Sequence, residues 1–406
     1  MAVFLLIGGR FDLDVGANSI CIRNIAFELK KRGHDILAIT NSWDKDSYCE
    51  LDGLKIWGVR QTFYDYLDGF RKKNRLLGNL IFKFASLIRR FILIPFYPNV
   101  AFLRSIRITK LARKLISQNN VDAVVCFYRP IETLFSALRL KSVYGEKIKV
   151  FNYHLDLLTS DSNMKFYSFL RKRVNIFLKR ECETVDYLIL PESGSGRNIN
   201  DKIIYTGFPV CVQENKNVPY NAGFSDAFIN FVYVGSLDCS NRNPVYAFEL
   251  IKSFNDSSPK KILLHIWGFI DEDLKRIIKR YAFIRYNGLL ENLYSLSVLK
   301  QADFILNVGN KNTFLMIPSK IFKSFLSGKP IVNILNDERD VTLKYFEEYG
   351  HSLNMLEMNS DKDACYEKFS QFVMLNNGKS FSTPKSLIER NTPEFIVNII
   401  EEKIVC

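Results

Sequence analysis

Val3-Phe4-Leu5-Leu6-Ile7-Gly8-Gly9 is a continuous apolar run that stops on two glycines, as a strand buried on both faces requires. From Ile20 to Lys31 the apolar residues recur at helical spacing, and the stretch closes on Lys30-Lys31-Arg32-Gly33. Cations in a last turn followed by glycine are C-terminal helix signals. Ile36–Thr40 is again a strand. Further strands are predicted at Ala123–Phe127, Lys149–Tyr153 and Tyr187–Leu190, with helical stretches between them. Strands alternating with helices in this way make a doubly wound α/β domain.

Periodicity fades between Gly207 and Phe228, where Pro209, Pro219 and several asparagines fall, so a linker is predicted over 206–228 between domains at 1–205 and 229–384. A second α/β series follows, with strands predicted near Asn230–Val234, Ile262–Trp267, Phe283–Tyr286, Asp303–Val308 and Pro330–Ile334. Residues 385–406 read as a closing helix, broken at Thr392-Pro393, that crosses back to the first domain. Two such domains imply a cleft between them, lined by strand C-termini.

The 406 residues carry 47% hydrophobic and 24% charged side chains, a globular balance. No apolar run approaches the roughly 18 residues that span a bilayer, and the opening apolar stretch is too short for a signal peptide. The eight cysteines lie singly with no CxxC pair, which argues for reduced thiols in a cytosolic protein rather than a metal cage or disulfide framework.

Charge divides the chain. Residues 1–220 hold 34 Lys and Arg against 21 Asp and Glu, whereas residues 221–406 hold 22 of each. Between Asp68 and Asp122 there are twelve cations and no carboxylate. Within this stretch Leu76, Leu77, Leu80, Ile81, Phe84, Leu87, Ile88, Phe91 and Ile92 fall on one helix face. Arg71, Lys72, Lys73, Arg75, Lys83, Arg89 and Arg90 surround it. Either that face lies on an anionic lipid surface, or it packs on its own sheet and only the charges reach lipid. The basic segment 71–114, with Arg171-Lys172-Arg173 and Lys179-Arg180, points to the inner leaflet of a membrane and peripheral association. An apolar, amphipathic pattern without aromatic-studded polar stretches argues against nucleic acid.

The segment richest in chemistry runs from Asn307 to Val332. A strand leads through a loop to a short helix with Ser319 at its start, Lys320 in its first turn and Gly328 at its end. Such a start is either a plain capped helix with solvated lysines or an anion site. Pro318-Ser319-Lys320-Ile321-Phe322 followed by Ser327-Gly328-Lys329-Pro330-Ile331-Val332 resembles the donor-binding helix of GT-B nucleotide-sugar glycosyltransferases, specifically the retaining family 4 group. The likeness extends to Phe231-Val232-Tyr233-Val234-Gly235-Ser236-Leu237, Arg242-Asn243-Pro244, Asn287-Gly288-Leu289 and Gln301-Ala302-Asp303. In the first half it includes Gly16-Ala17-Asn18 before a helix ending Lys31-Arg32-Gly33-His34. The matches keep the family's order over roughly residues 1–335. Three positions depart from it: Leu315 and Lys323 stand where that family often has glutamates, and Ser236 stands where a basic residue is usual. Lys323 therefore either approaches a phosphate or points to solvent.

The resemblance implies a retaining, metal-independent enzyme without a cofactor. It would move a sugar from a nucleotide diphosphate, with uridine the default base, to a lipid-linked glycan of the surface-polysaccharide kind, by front-face displacement. It implies that Arg242 and Lys320 neutralise the leaving diphosphate. Gly16 would let backbone approach the phosphates, Gly235 and Ser236 would line the donor site, and Asn287, Gly288 and Leu289 would meet the base. Asn310 would face the sugar. His154 and Asp156, at the end of a first-domain strand, are candidates for contact with the sugar or the acceptor hydroxyl, His154 equally for a structural role. The acidic triplets at 12–14, 44–46, 271–273 and 361–363 superficially suggest metal ligands, but the last three lie in polar, helix-flanking or loop contexts and read as solvated. A GT-B nucleotide-sugar epimerase, or an inactive GT-B membrane scaffold, is the alternative.

Overall fold

The computed structural model describes residues 1–11, 17–42, 46–60, 70, 77–85, 97–99, 101–156, 168–192, 201–211, 219–311, 313–357 and 361–405. The chain forms two compact units, Met1–Val210 with Asn391–Cys406, and Cys211–Arg390.

In the first unit eight strands form one sheet in the order β3-β4-β2-β1-β5-β6-β7-β8. They are β1 (Val3–Ile7), β2 (Asp35–Ser42), β3 (Ser47–Leu51), β4 (Leu54–Arg60), β5 (Ala123–Phe127), β6 (Lys149–Tyr153), β7 (Tyr187–Pro191) and β8 (Ile203–Thr206). All neighbours are parallel except β3 and β4. Four helices are needed below: α1 (Ala17–Lys31), α2 (Phe102–Asn119), α3 (Glu132–Tyr144) and α4 (Ser168–Thr184). One face of the sheet packs on α2, α3 and α4 through Ile108, Ala112, Leu115, Leu134, Leu138, Val174 and Phe177. The other face packs on α1 through Ile22, Ile25 and Leu29.

The hairpin β3–β4 has no counterpart in the sequence prediction. β3 is almost wholly exposed and so lacks an apolar pattern. Its turn, however, is Asp52-Gly53 with φ of 49° and 72°, the left-handed pair that tight hairpins favour.

The second unit is a six-stranded parallel sheet in the order β11-β10-β9-β12-β13-β14. Its strands are β9 (Ile229–Val234), β10 (Ile262–Trp267), β11 (Ile284–Tyr286), β12 (Phe304–Val308), β13 (Ile331–Leu335) and β14 (Ser352–Leu356). The helices are α5 (Val245–Ser257), α6 (Glu272–Ile278), α7 (Ser295–Gln301), α8 (Lys320–Leu326), α9 (Leu343–Tyr349), α10 (Lys362–Asn376) and α11 (Lys385–Glu389). Across the sheet Asn307, Asn333 and Asn354 form a ladder of amide bonds, each 2.8 Å, which satisfies polar groups that would otherwise be buried without partners.

The end of the chain is two helices. α11 belongs to the second unit, and α12 (Pro393–Val405) belongs to the first. Ile396, Val397 and Ile400 join the α1 core, while Arg32 donates to Glu401 at 2.6 Å and to Asn398 at 2.6 Å. Because Ile400 is fully buried there, Ile400→Ala is expected to destabilise the first unit by about 2–5 kcal/mol in urea unfolding. A loss below about 1 kcal/mol would show that α12 is not part of that core.

Candidate functional site

The second unit brings together Gly235, Ser236, Arg242, Asn310 and Lys320 from segments distant in sequence. β9 ends in Val234-Gly235, and Gly235 turns away with a φ of 137°. A Cβ on Gly235 would lie 3.3 Å from Lys320 Cδ, so glycine keeps the space into which the lysine is laid. Gly268, after β10, comes still closer to this turn: a Cβ there would sit 2.0 Å from the Gly235 carbonyl oxygen. Gly235 N–H donates to Trp267 O at 2.8 Å and Gly268 N–H to Gly288 O at 2.7 Å, stitching the ends of three adjacent strands into one backbone rim. Asn287, Gly288 and Leu289 form the outer part of that rim; Asn287 and Leu289 are exposed.

Lys320 is the centre of the cluster. Its Nζ donates to the Tyr233 hydroxyl at 2.6 Å and lies 4.1 Å from that ring's centroid. The Tyr233 hydroxyl in turn donates to Ser236 O at 2.8 Å. Arg242 Nε donates to Asn310 Oδ1 at 2.7 Å. No carboxylate pairs with Lys320 among the described residues, and the charge that bears on it is the like charge of Arg242. Burial first, and then Arg242, hold its pKa well below that of an ordinary lysine. The Arg242 loop is shaped by Asp238, whose carboxylate accepts from Ser240 and Asn241 N–H at 3.0 and 2.7 Å. Lys320, poorly solvated and with no carboxylate partner among the described residues, is thus held beside Arg242, on which the Asp238 carboxylate bears, an arrangement that a further anion relieves.

Several predicted residues have other places. Asn310 is almost fully buried and orients Arg242, so it acts on the site through that side chain. Ser319 has helical backbone angles and makes no capping bond, and α8 has only seven residues. The predicted capped helix start is therefore absent, and the cationic side chain of Lys320 remains as the anion-directed feature. Lys323 is not turned to solvent: its Nζ donates to Asn292 O, Asn292 Oδ1 and Ser295 Oγ at 3.0, 2.9 and 2.8 Å. It ties α8 to the start of α7. Asp271 and Asp361, from two of the acidic triplets, cap α6 and α10 by accepting from Leu274 and Ala364 N–H.

In the first unit His154 is buried, with Nε2 2.8 Å from Glu181 Oε1, an oxygen that also accepts from Asn152 at 2.5 Å. Its ring stacks on Tyr128. Direct contact of His154 with an acceptor is therefore corrected to a place inside a buried polar cluster. Asp156 is more open. Its Oδ2 lies 3.1 Å from Arg129 Nε; burial raises its pKa, while Arg129 and a bond from Asn18 act in the opposite sense. Gly16 lies outside the described residues, as do Arg71, Lys72, Lys73, Arg75, Arg89 and Arg90. Lys83 is exposed on helical residues 77–85, where Leu77, Leu80, Ile81 and Phe84 are exposed too, so their side chains do not pack on the sheet.

Sequence reading missed Tyr233 as a functional side chain. Its only signal is a hydroxyl in an otherwise apolar strand end, Phe231-Val232-Tyr233-Val234.

No protein-family model matches the chain, and comparison with curated proteins finds no match. Solved structures do resemble it. One, described as trehalose-6-phosphate from E. coli bound with UDP-2-fluoro glucose, is 12% identical, with 99% of this chain and 96% of that chain covered and a TM-score of 0.57. Anabaena HepE, in complex with UDP and glucose, is 10% identical over the whole of both chains, with a TM-score of 0.57. S. aureus MnaA with UDP is 11% identical over 100% of this chain and 96% of that one, with a TM-score of 0.54. At such identities the likeness shows the fold: this is an α/β protein of GT-B architecture, with two Rossmann-like domains.

An anion on the site would raise the Lys320 pKa, so binding takes up a proton. Affinity for a nucleoside diphosphate is expected to weaken as pH rises through the free-state pKa and to level off above the bound-state value. Calorimetry in buffers of different ionisation heat reads this uptake, and its absence would remove Lys320 from the binding step. Tyr233→Phe takes away the hydroxyl that holds Nζ, and should weaken the same binding about tenfold or more.

Proposed function

We propose that the protein is a glycosyltransferase that takes a sugar from a nucleotide diphosphate, and that the Lys320–Arg242 pair binds and stabilises the diphosphate as it leaves. The observation that carries this is the pair itself: Lys320, with no carboxylate partner among the described residues, lies beside Arg242 at the strand ends of a Rossmann-like sheet. In support, the structures of two fold relatives, the E. coli and Anabaena proteins, contain a UDP-sugar and UDP.

The chemistry follows from the charges. The bond between the anomeric carbon and the diphosphate oxygen breaks, its electron pair goes to the phosphate, and negative charge grows where Lys320 and Arg242 point. Cations already held in place stabilise that growth without reorganising. The acceptor oxygen forms the new bond to the anomeric carbon, and its proton passes to the departing phosphate oxygen. With this front-face course the configuration is retained. No metal ion is assigned to the reaction, because the two cations supply the charge that a metal would. The base sits on the rim of Asn287, Gly288 and Leu289, with a UDP-linked sugar the first donor to try.

The acceptor we propose is a lipid-linked glycan, of the kind assembled on the inner leaflet for surface polysaccharides. In support, the exposed apolar side chains of residues 77–85 lie in a stretch of sequence with twelve cations and no carboxylate. No helix is long and apolar enough to cross a membrane among the described residues, so a peripheral contact is the form proposed.

The test is nucleotide release from a panel of nucleotide sugars in the presence of lipid-extracted acceptors. Wild type is expected to release the diphosphate only when acceptor is present. Arg242→Ala is expected to lower kcat by about 10²–10³ without loss of fold, and NMR of the product should show the donor's anomeric configuration. Conversion of the donor sugar to an epimer without any acceptor would replace this assignment with an epimerase.

A further inference from the structure

Helix α2 of the first unit has a cavity on either side. The one between α2 and α3 has a volume of about 340 Å³ and is lined by Ile106, Thr109, Lys110, Arg113 and Arg139. Three of these five side chains are cations, and none of them pairs with a carboxylate among the described residues. Glu132, in the first turn of α3, is buried and faces Arg104 at 3.8 Å.

Arg139 is the deepest of the three. Its Nη1 donates to Ser105 Oγ at 2.5 Å, and its guanidinium lies 5.0 Å from the Phe102 ring centroid. Burial lowers its pKa, which registers a charge that is incompletely solvated. Lys110 and Arg113 stand one turn apart on the exposed side of α2, over the mouth of the cavity.

The rim beside this pocket is apolar. Phe102, Leu103 and Ile106 are 49%, 66% and 41% exposed at the start of α2. A soluble anion gains nothing from such a rim, whereas a ligand that joins a phosphate to hydrocarbon uses both halves. On the other side of α2, Tyr48 and Trp57 with Lys55 and Lys114 line the second cavity, again an aromatic and cationic mixture suited to a membrane interface. Helix α4, on the same face of the sheet, adds exposed Arg171, Lys172, Ile176, Lys179 and Arg180.

We infer that the pocket between α2 and α3 binds the phosphate of an anionic phospholipid headgroup, with Phe102, Leu103 and Ile106 entering the interfacial layer of the bilayer beside it. This deepens the membrane-linked acceptor proposed above by assigning the surface that meets the membrane. It rests on that part of the proposal, and vesicle binding tests it without any nucleotide, so its failure leaves the donor site standing.

The experiment is flotation of the full chain with vesicles of phosphatidylcholine alone, and of phosphatidylcholine with about 30% phosphatidylglycerol. Wild type is expected to float with the anionic vesicles only. Lys110→Gln with Arg113→Gln should weaken that binding about thirtyfold, the product of two headgroup contacts. Lys179→Gln with Arg180→Gln removes the same charge from α4 outside the pocket and should weaken it about threefold or less. Both pairs are exposed, and equal thermal transitions will show that the variants fold. Ile106→Ser should weaken binding as well. Equal losses from the two charge pairs would mean diffuse attraction and overturn the pocket, as would no binding or equal binding to neutral vesicles. Inorganic phosphate is the remaining arm. If millimolar phosphate stabilises wild type, displaces it from vesicles and does neither to the Lys110/Arg113 variant, the site takes a soluble anion and the lipid assignment is overturned.

Discussion

A lysine that is laid beneath a glycine turn beside an arginine, and that has no acid partner among the described residues, is the constraint on which the Lys320 site depends. Desolvating an amine is costly, and placing a like charge nearby increases the cost. The fold sustains it locally through the Tyr233 hydroxyl and ring, through the space left by Gly235, and through Asn310 holding Arg242 in place. The parallel sheet makes this feasible because the ends of β9, β10 and β12 converge on one edge, where loops from distant sequence positions meet. The result is a pair of basic side chains held in place at that edge by their own neighbours.

Much of this architecture was legible in sequence because parallel strands buried on both faces write themselves as short apolar runs. β1, β5, β6 and β10 have the bounds that the sequence predicts. Where a strand is exposed, the signal fails: β3 has scarcely any buried residue, and only the Asp52-Gly53 turn marks its hairpin. β14 was hidden for a related reason, since four of its five residues are only half-buried, two of them polar, at the sheet edge beyond β13.

Site residues were legible as types and less so as partners. Arg242 and Lys320 are read correctly as neighbours because a motif fixes their order, but no pattern says that Tyr233 joins them. Ser319 has the residue type of a cap, whereas its backbone is already helical and makes no capping bond. Lys323 looks solvent-facing in a short helix; the amide and hydroxyl of Asn292 and Ser295, about thirty positions earlier, take its hydrogens. His154 ends a strand as predicted, yet Glu181 and Asn152 enclose it. In each case the deciding contact comes from a part of the chain that local reading cannot pair.

The role proposed for the Lys320 amine is to receive a diphosphate. A thermal-shift panel of UDP, GDP, ADP, CMP and TDP on wild type and Lys320→Ala tests this, since a ligand that binds only the native state raises the transition. One nucleoside diphosphate is expected to stabilise wild type, and Lys320→Ala to lose most of the effect. No stabilisation by any of them at millimolar concentration, or an equal shift in the variant, would contradict it.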